Sequence, residues 1–213
     1  MSRQRLVLFG GTFDPVHIGH LRVALEASEF LQAPVRMIPA REPPHRAPTR
    51  AGADQRAALL RAALKGQDRL QLDTRELGRD GPSYSVDTLR DLRDEVGPEP
   101  AVVLLIGADA FAGLDRWHRW REMFELAHIG VLTRPGNNGA ASPDLQTAIA
   151  GRKVKDAAAL WEQASGGVVD IPVTALDISA SQVRELLATG RCVRYLLPEP
   201  LIESPDLLAV YRD

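Results

Sequence analysis

The sequence predicts an α/β fold, a doubly wound parallel sheet with helices on both faces, and three observations lead there. Residues 6–9 (LVLF) and 101–106 (AVVLLI) are unbroken apolar runs of strand length, the pattern of strands covered on both faces. Segments with apolar residues at helical spacing alternate with such runs along the chain. The first run breaks on Gly10-Gly11 and restarts as a helix after Pro15, which is how a parallel crossover unit opens.

Composition bounds the function. At 213 residues, 45% hydrophobic and 25% charged, the chain suits one α/β domain over residues 1–213, with segment 191–213 packed on it. A net charge of -2 provides no field to attract nucleic acid, although 26 Lys and Arg residues leave enough for a local phosphate pocket. Cys192 is the only cysteine, so an intramolecular disulfide is excluded, a reducing cytoplasm is the expected setting, and a small half-buried side chain is the expected role. The chain enters a strand within five residues, with no apolar signal core, and no run approaches the ~20 residues that cross a bilayer. A soluble cytoplasmic protein without a membrane partner is expected.

In chain order, the first helix begins near residues 16–18 and ends near 31–32, with Ile18, Leu21, Ala24, Leu25 and Ser28 at helical spacing. Residues 34–39 form the second strand. Residues 40–50 (AREPPHRAPTR) are a loop leaving that strand's carboxyl end, the edge where ligands gather in open α/β sheets. Residues 53–64 form an amphipathic helix with Leu59, Leu60, Ala63 and Leu64 on one face and Asp54 suiting the dipole; residues 70–72 are a short strand. After a turn at 78–81, Ser83 reads as the cap of a helix whose buried stripe is Val86, Leu89, Leu92 and Val96. Residues 101–106 make the central strand, closed by Gly107. Residues 122–127 end a helix, 128–133 form a strand, 137–142 a small polar loop, 156–164 a helix with Trp161 packed, and 168–173 the last strand. Ser179 and Gln182 form a capping-box pattern for a helix through Leu187, ended near Gly190. A terminal helix over 205–211 packs on the domain and carries no evident chemistry.

Chemistry concentrates at two helix starts. His17 and His20, three apart, share a face of the first turn beside its unpaired N–H groups and positive dipole end. An isolated H-x-x-H pair reads as packing, metal ligation or anion binding; a strand, glycines and a proline around it, with no Cys, Asp or third His at close ligand spacing, favour a phosphate over zinc. Gly19 between them leaves room for a ligand. At the second start, Ser181 and Arg184 lie three apart beside free N–H groups, an anion site with a guanidinium attached, although a simple cap explains Ser179 equally well. Asp109, just past the central strand, is either an acceptor from ribose hydroxyls or a cap for Ala110 onward. Arg134 emerges at the same edge, to meet a phosphate or to lie on the surface. Trp117, His118 and Trp120 are aromatics of the core or the surface.

Residues 11–20 (GTFDPVHIGH) resemble the G-x-F-x-P-x-H-x-G-H signature of the nucleotidyltransferase superfamily, and residues 178–184 (ISASQVR) resemble its I-S-x-T-x-x-R motif. Within the superfamily the chain is most similar, nearly from end to end, to the bacterial nicotinate-nucleotide adenylyltransferases. The resemblance implies a Rossmann-like nucleotidyltransferase fold and adenylyl transfer from ATP to nicotinate mononucleotide, giving deamido-NAD and pyrophosphate. It implies His17, His20 and Arg184 as catalytic residues. ATP would be bound by Gly10, Gly11, Thr12, Phe13, His17, His20, His45, Arg46, Asp109, Ile178, Ser179, Ser181 and Arg184. Nicotinate mononucleotide would be bound by Ser83, Tyr84, Ser85, Trp117 and Arg134. Mg²⁺ is expected on the ATP phosphates, with no metal held by the protein. The partners are these two small molecules, without nucleic acid or membrane, and a homo-oligomer is compatible with the sequence. Ser85 and Ser181 stand where Thr is usual and keep the hydroxyl; His118 replaces an aromatic frequent in relatives. The competing readings are a sister enzyme acting on nicotinamide mononucleotide or phosphopantetheine, an ATP-binding sensor without turnover, and a zinc hydrolase.

Overall fold

The computed structural model describes residues 3–44, 48–134 and 141–212. Six strands, β1 (Arg5–Gly11), β2 (Val35–Pro39), β3 (Leu70–Leu72), β4 (Ala101–Gly107), β5 (His128–Thr133) and β6 (Val168–Pro172), form one sheet in the order β3-β2-β1-β4-β5-β6. Every neighbouring pair is parallel. The order reverses between β1 and β4, so a crevice opens outside their carboxyl ends. The expected doubly wound α/β class is the observed one.

The helices are α1 (Ile18–Leu31), α2 (Ala53–Ala63), α3 (Ser85–Val96), α4 (Ala108–Ala112), α5 (Met123–Leu126), α6 (Pro143–Ile149), α7 (Ala157–Leu160), α8 (Ala180–Ala188) and α9 (Glu199–Ile202). Alternation along the strands feeds two cores. Val7, Val103 and Leu105 pack with α1, α2, α8 and the C-terminal residues Leu197, Leu201, Leu208 and Tyr211. Leu8, Val102, Leu104 and Ile106 pack on the other face with Val86, Leu89 and Leu92 of α3 and Phe124 of α5. Strands buried on both faces need apolar residues at every position, which is why β1 and β4 read as continuous runs.

Several local expectations are corrected. The buried face of α1 is Gly19, Val23, Ala24, Ala27, Ser28 and Leu31, not a stripe through Leu21 and Leu25. Small residues let this helix approach the sheet closely, and the two leucines are left on its flanks. Ser83 does not cap α3, whose cap position is Tyr84 without a side-chain bond; its Oγ instead accepts from the amides of Arg41 (2.9 Å) and Glu42 (3.3 Å), tying two loops together. Asp109 is not a cap either, because α4 starts at Ala108 behind Gly107. The helix expected over 156–164 is the single turn of α7, capped by Asp156, and Trp161 past its end donates to the Leu31 carbonyl at 3.2 Å. Helix α6 is an element the sequence reading missed, although Ser142 caps it and Pro143 opens it in the usual way. The terminal segment Pro205–Tyr211 is a 3-10 helix, and Cys192 is exposed rather than half-buried. The expected loop at 137–142 lies largely outside the described residues.

One polar side chain ties the loops above the sheet together. Arg56 on α2 is fully buried, and its guanidinium donates to the carbonyls of Thr12 (2.7 Å), Arg41 (3.0 Å) and Ala51 (3.2 Å). A planar fork reaches acceptors in several directions at once, which an ammonium on a similar stem does not. Arg56→Lys is therefore expected to leave buried carbonyls unpaired and to cost about 2–3 kcal/mol in urea unfolding; an unchanged midpoint would mean that the fork is dispensable.

Candidate active site

The loop after β1 is shaped by close contacts. Phe13, buried with φ 49°, turns its ring back over Gly11, where a Cβ would lie 2.7 Å from Phe13 Cζ. Glycine is needed at that position because a ring occupies the side-chain space. Phe13 in turn meets His20 edge-on, centroids 5.1 Å apart, and His20 stacks on His17 at 3.7 Å with 28° between the planes. The space left by Gly19 serves this stack as much as a ligand. A Cβ there would sit 3.0 Å from His17 Nδ1 and 3.7 Å from the Ile178 side chain.

His17 is 5% exposed, and its Nδ1 is buried with no hydrogen-bond partner among the described residues. Burial, aided by the positive charge of Arg134, lowers its pKa from 6.5 to about 4, so the imidazole is neutral at pH 7. His128, also buried, is a contrast. Its Nδ1 accepts from the Gly167 amide at 2.9 Å and its Nε2 donates to the Gln163 carbonyl at 3.0 Å, a satisfied structural histidine.

The start of α1 is less open than its sequence suggests. The Ile18 amide donates to the Leu196 carbonyl (2.9 Å) and the His20 amide to the His17 carbonyl (3.0 Å); the Gly19 amide takes part in neither bond. At α8, Ser179 Oγ accepts from the Gln182 amide at 3.1 Å, as the capping pattern predicts. From that turn Arg184 reaches across, one Nη donating to the Asp14 carbonyl at 2.7 Å and the other to Ser181 Oγ at 3.1 Å. The two helix starts that carry the sequence motifs are therefore neighbours, joined by a hydrogen bond.

They open into one cavity of about 920 Å³. Gly10, Gly11, Thr12, Phe13, His17, His20, Ile178, Ser179, Ser181 and Arg184 line it from these two starts. Ser83, Tyr84, Ser85, Asp109, Trp117, His118 and Arg134 line it from the loops beyond β4, β5 and the start of α3. Tyr84 and His118 face each other there at 4.5 Å and 32°, so the histidine takes the place of an aromatic wall. The α3 start adds a third set of helix amides, and the site as a whole suits a polyanion. His45 and Arg46, the two remaining expected site residues, lie outside the described residues. Among the described residues no group of three His, Cys, Asp or Glu side chains could hold a metal ion.

Sequence reasoning missed residues that shape this site from below. Asp14, 6% exposed, accepts from the amides of Arg50 (2.8 Å) and Ala51 (3.1 Å) and from the Tyr211 hydroxyl (2.8 Å). Glu76, also buried, accepts from Thr88 Oγ1 at 2.6 Å and lines the cavity; burial raises its pKa against the pull of its hydrogen bonds. The available signal was the acid between Phe13 and Pro15 in an otherwise apolar string; nothing local marks Tyr211 or Arg56.

Comparison with known proteins bears on the family and the fold. The family model described as cytidylyltransferase-like matches residues 8–186. A protein of Halorhodospira halophila named "Probable nicotinate-nucleotide adenylyltransferase" is 50% identical over 193 residues, covering 90% of this chain and 88% of its own length. One of the same name from Chromohalobacter salexigens is 45% identical over 207 residues, covering 96% and 94%. Among solved structures, the Plasmodium falciparum nicotinic acid mononucleotide adenylyltransferase complexed with NaAD has a TM-score of 0.72 at 12% identity over 99% of both chains, a likeness of fold.

The buried His17 makes stability depend on pH. With its folded pKa near 4 and an unfolded value near 6.5, the unfolded chain takes up the proton first as pH falls. Stability from this residue is thus complete above about pH 6.5 and falls toward pH 4, by up to about 3 kcal/mol. His128 acts in the same direction. Urea midpoints of the native protein are expected to drop between pH 7.5 and 5, and His17→Asn to flatten that slope; an equal slope in the variant would refute the burial argument.

Proposed function

We infer that this chain, which belongs to the cytidylyltransferase-like family and within it to the nicotinate-nucleotide adenylyltransferases, transfers the adenylyl group of ATP to nicotinate mononucleotide, giving deamido-NAD and pyrophosphate. The observation that carries the residue-level reading is the bond from Arg184 to the Asp14 carbonyl. It brings the starts of α1 and α8 to one cavity, where a single triphosphate can bridge them.

In this reading the acceptor's phosphate oxygen attacks the α-phosphorus of ATP in line and pyrophosphate leaves. The attacking oxygen is already an anion near pH 7, so the site needs no general base and no covalent intermediate. The chain's contribution is alignment and the neutralising of charge that builds on equatorial and leaving oxygens. His17 serves the α-phosphate region, and His20 with Arg184 and Ser181 the β and γ groups. His17, neutral at pH 7, presents a ring N–H, and a phosphate beside it would favour its protonated form. His45 and Arg46 would close over the phosphates. On the acceptor side, Ser83, Tyr84, Ser85 and Trp117 would receive the pyridine ring, Arg134 a phosphate, and Asp109 a ribose.

Mg²⁺ fits this site as a passenger of the nucleotide. Asp14, the carboxylate closest in sequence to the two histidines, is engaged by two amides and a phenol, and the described residues offer no metal-binding cluster. When bound, the ion would rest on triphosphate oxygens and water and offset their charge. A cytoplasmic setting accords with the free, exposed thiol of Cys192.

Pyrophosphate release measured at matched concentrations of nicotinate mononucleotide, nicotinamide mononucleotide and phosphopantetheine tests the assignment. The first is expected to be used best. Release with none of them would leave a nucleotide-binding protein without turnover. His17→Ala is expected to lower turnover about 10²- to 10³-fold, the scale of losing one donor to developing charge; near-normal turnover would reject the role given to that imidazole.

A further inference from the structure

We propose that Tyr211, at the end of the 3-10 helix Pro205–Tyr211, is a positioning residue for the nucleotide's phosphates, acting through Asp14 on Arg184. The inference rests on the assignment of the α1 and α8 starts to ATP.

Tyr211 is 2% exposed, and its hydroxyl donates to Asp14 Oδ1 at 2.8 Å. Burial and the adjacent carboxylate push the phenol's pKa upward, so its proton stays in place and the direction of the bond is fixed. The same carboxylate takes the Ala51 amide on Oδ1 and the Arg50 amide on Oδ2. A second clip, from Arg50 Nε to the Val210 carbonyl at 3.3 Å, holds the same two segments together. One buried anion thus joins the loop after β1, the loop before α2 and the chain's last turn.

Arg184 stands at the edge of this arrangement. Its Nη1 donates to the Asp14 carbonyl at 2.7 Å while lying 3.9 Å from Asp14 Oδ2. The guanidinium is partly exposed toward the cavity and close to a carboxylate that already accepts three hydrogen bonds. Remove the phenol's hydrogen and that carboxylate loses one of its three donors. A buried anion short of donors draws a nearby cation to itself; the buried Arg56 also acts on Asp14 but is committed to three carbonyls, whereas Arg184, the cation assigned to the triphosphate, lies 3.9 Å away. Tyr211 keeps Arg184 available by satisfying Asp14 in its place.

The consequence is specific to one substrate. Tyr211→Phe keeps the buried ring and removes only the hydroxyl, so the variant is expected to fold. Its KM and calorimetric Kd for ATP are expected to rise about tenfold, equivalent to about 1.4 kcal/mol. The acceptor's KM is expected to stay within about twofold. In an Arg184→Ala background, where ATP binding is already weaker, adding Tyr211→Phe is expected to change the ATP Kd less than twofold, because the residue it acts through is gone. An unchanged ATP Kd in folded Tyr211→Phe overturns the proposal. So does an equal rise for ATP and the acceptor, or a full tenfold effect in the Arg184→Ala background, since each is what a merely structural role produces. A native enzyme that fails to bind ATP would instead overturn the proposed function.

Discussion

The hydrogen bond from the Arg184 guanidinium to the Asp14 carbonyl joins residues 170 positions apart, and the site depends on it. A parallel sheet delivers loops to one edge but does not say how near two helix starts on that edge will come. Here α1 follows β1 and α8 follows β6, three strands away at the edge of the sheet; core packing of Val183 and Leu187 and this bond hold α8 against the loop that introduces α1. Both helix starts then line one cavity.

That arrangement is supported at a cost in polar burial. Asp14 and Arg56 are both removed from water beneath the cavity, and each is matched with several partners rather than with one. Arg56 spends its fork on main-chain carbonyls, and Asp14 its oxygens on main-chain amides and a phenol. Charged groups satisfied by backbone hold loops, not side chains, and loops are what carry Thr12, Arg41 and Ala51 to the sheet edge. The C-terminal segment, which sequence reading treated as packing alone, supplies the phenol and also the carbonyl that takes the first amide of α1.

His17 shows the opposite economy. Its ring is buried with one nitrogen unmatched, whereas His128, equally buried, has both nitrogens matched. A buried polar atom without a partner among the described residues costs stability. Burial first, and the positive charge of Arg134 second, keep this imidazole neutral at pH 7.

What the sequence determined by itself is the class of fold, the two helix starts and the residues on them. Buried parallel strands need unbroken apolar runs, as in residues 101–106, and a tight turn from strand to helix needs glycine where a ring fills the side-chain space, as at Gly11; both requirements are local and therefore legible. Boundaries failed where a tertiary partner intervened: Ser83 gave its hydroxyl to amides across a loop instead of capping α3, and Trp161 turned away to a carbonyl of α1. Only the tertiary structure decided that Asp14, Arg56 and Tyr211 belong together. Arg56 reaches two carbonyls 5 and 15 residues away, but the other bonds of these three side chains span 36 to 197 residues, and a hydrogen bond across such a separation leaves no periodicity or spacing in the chain by which it could be read.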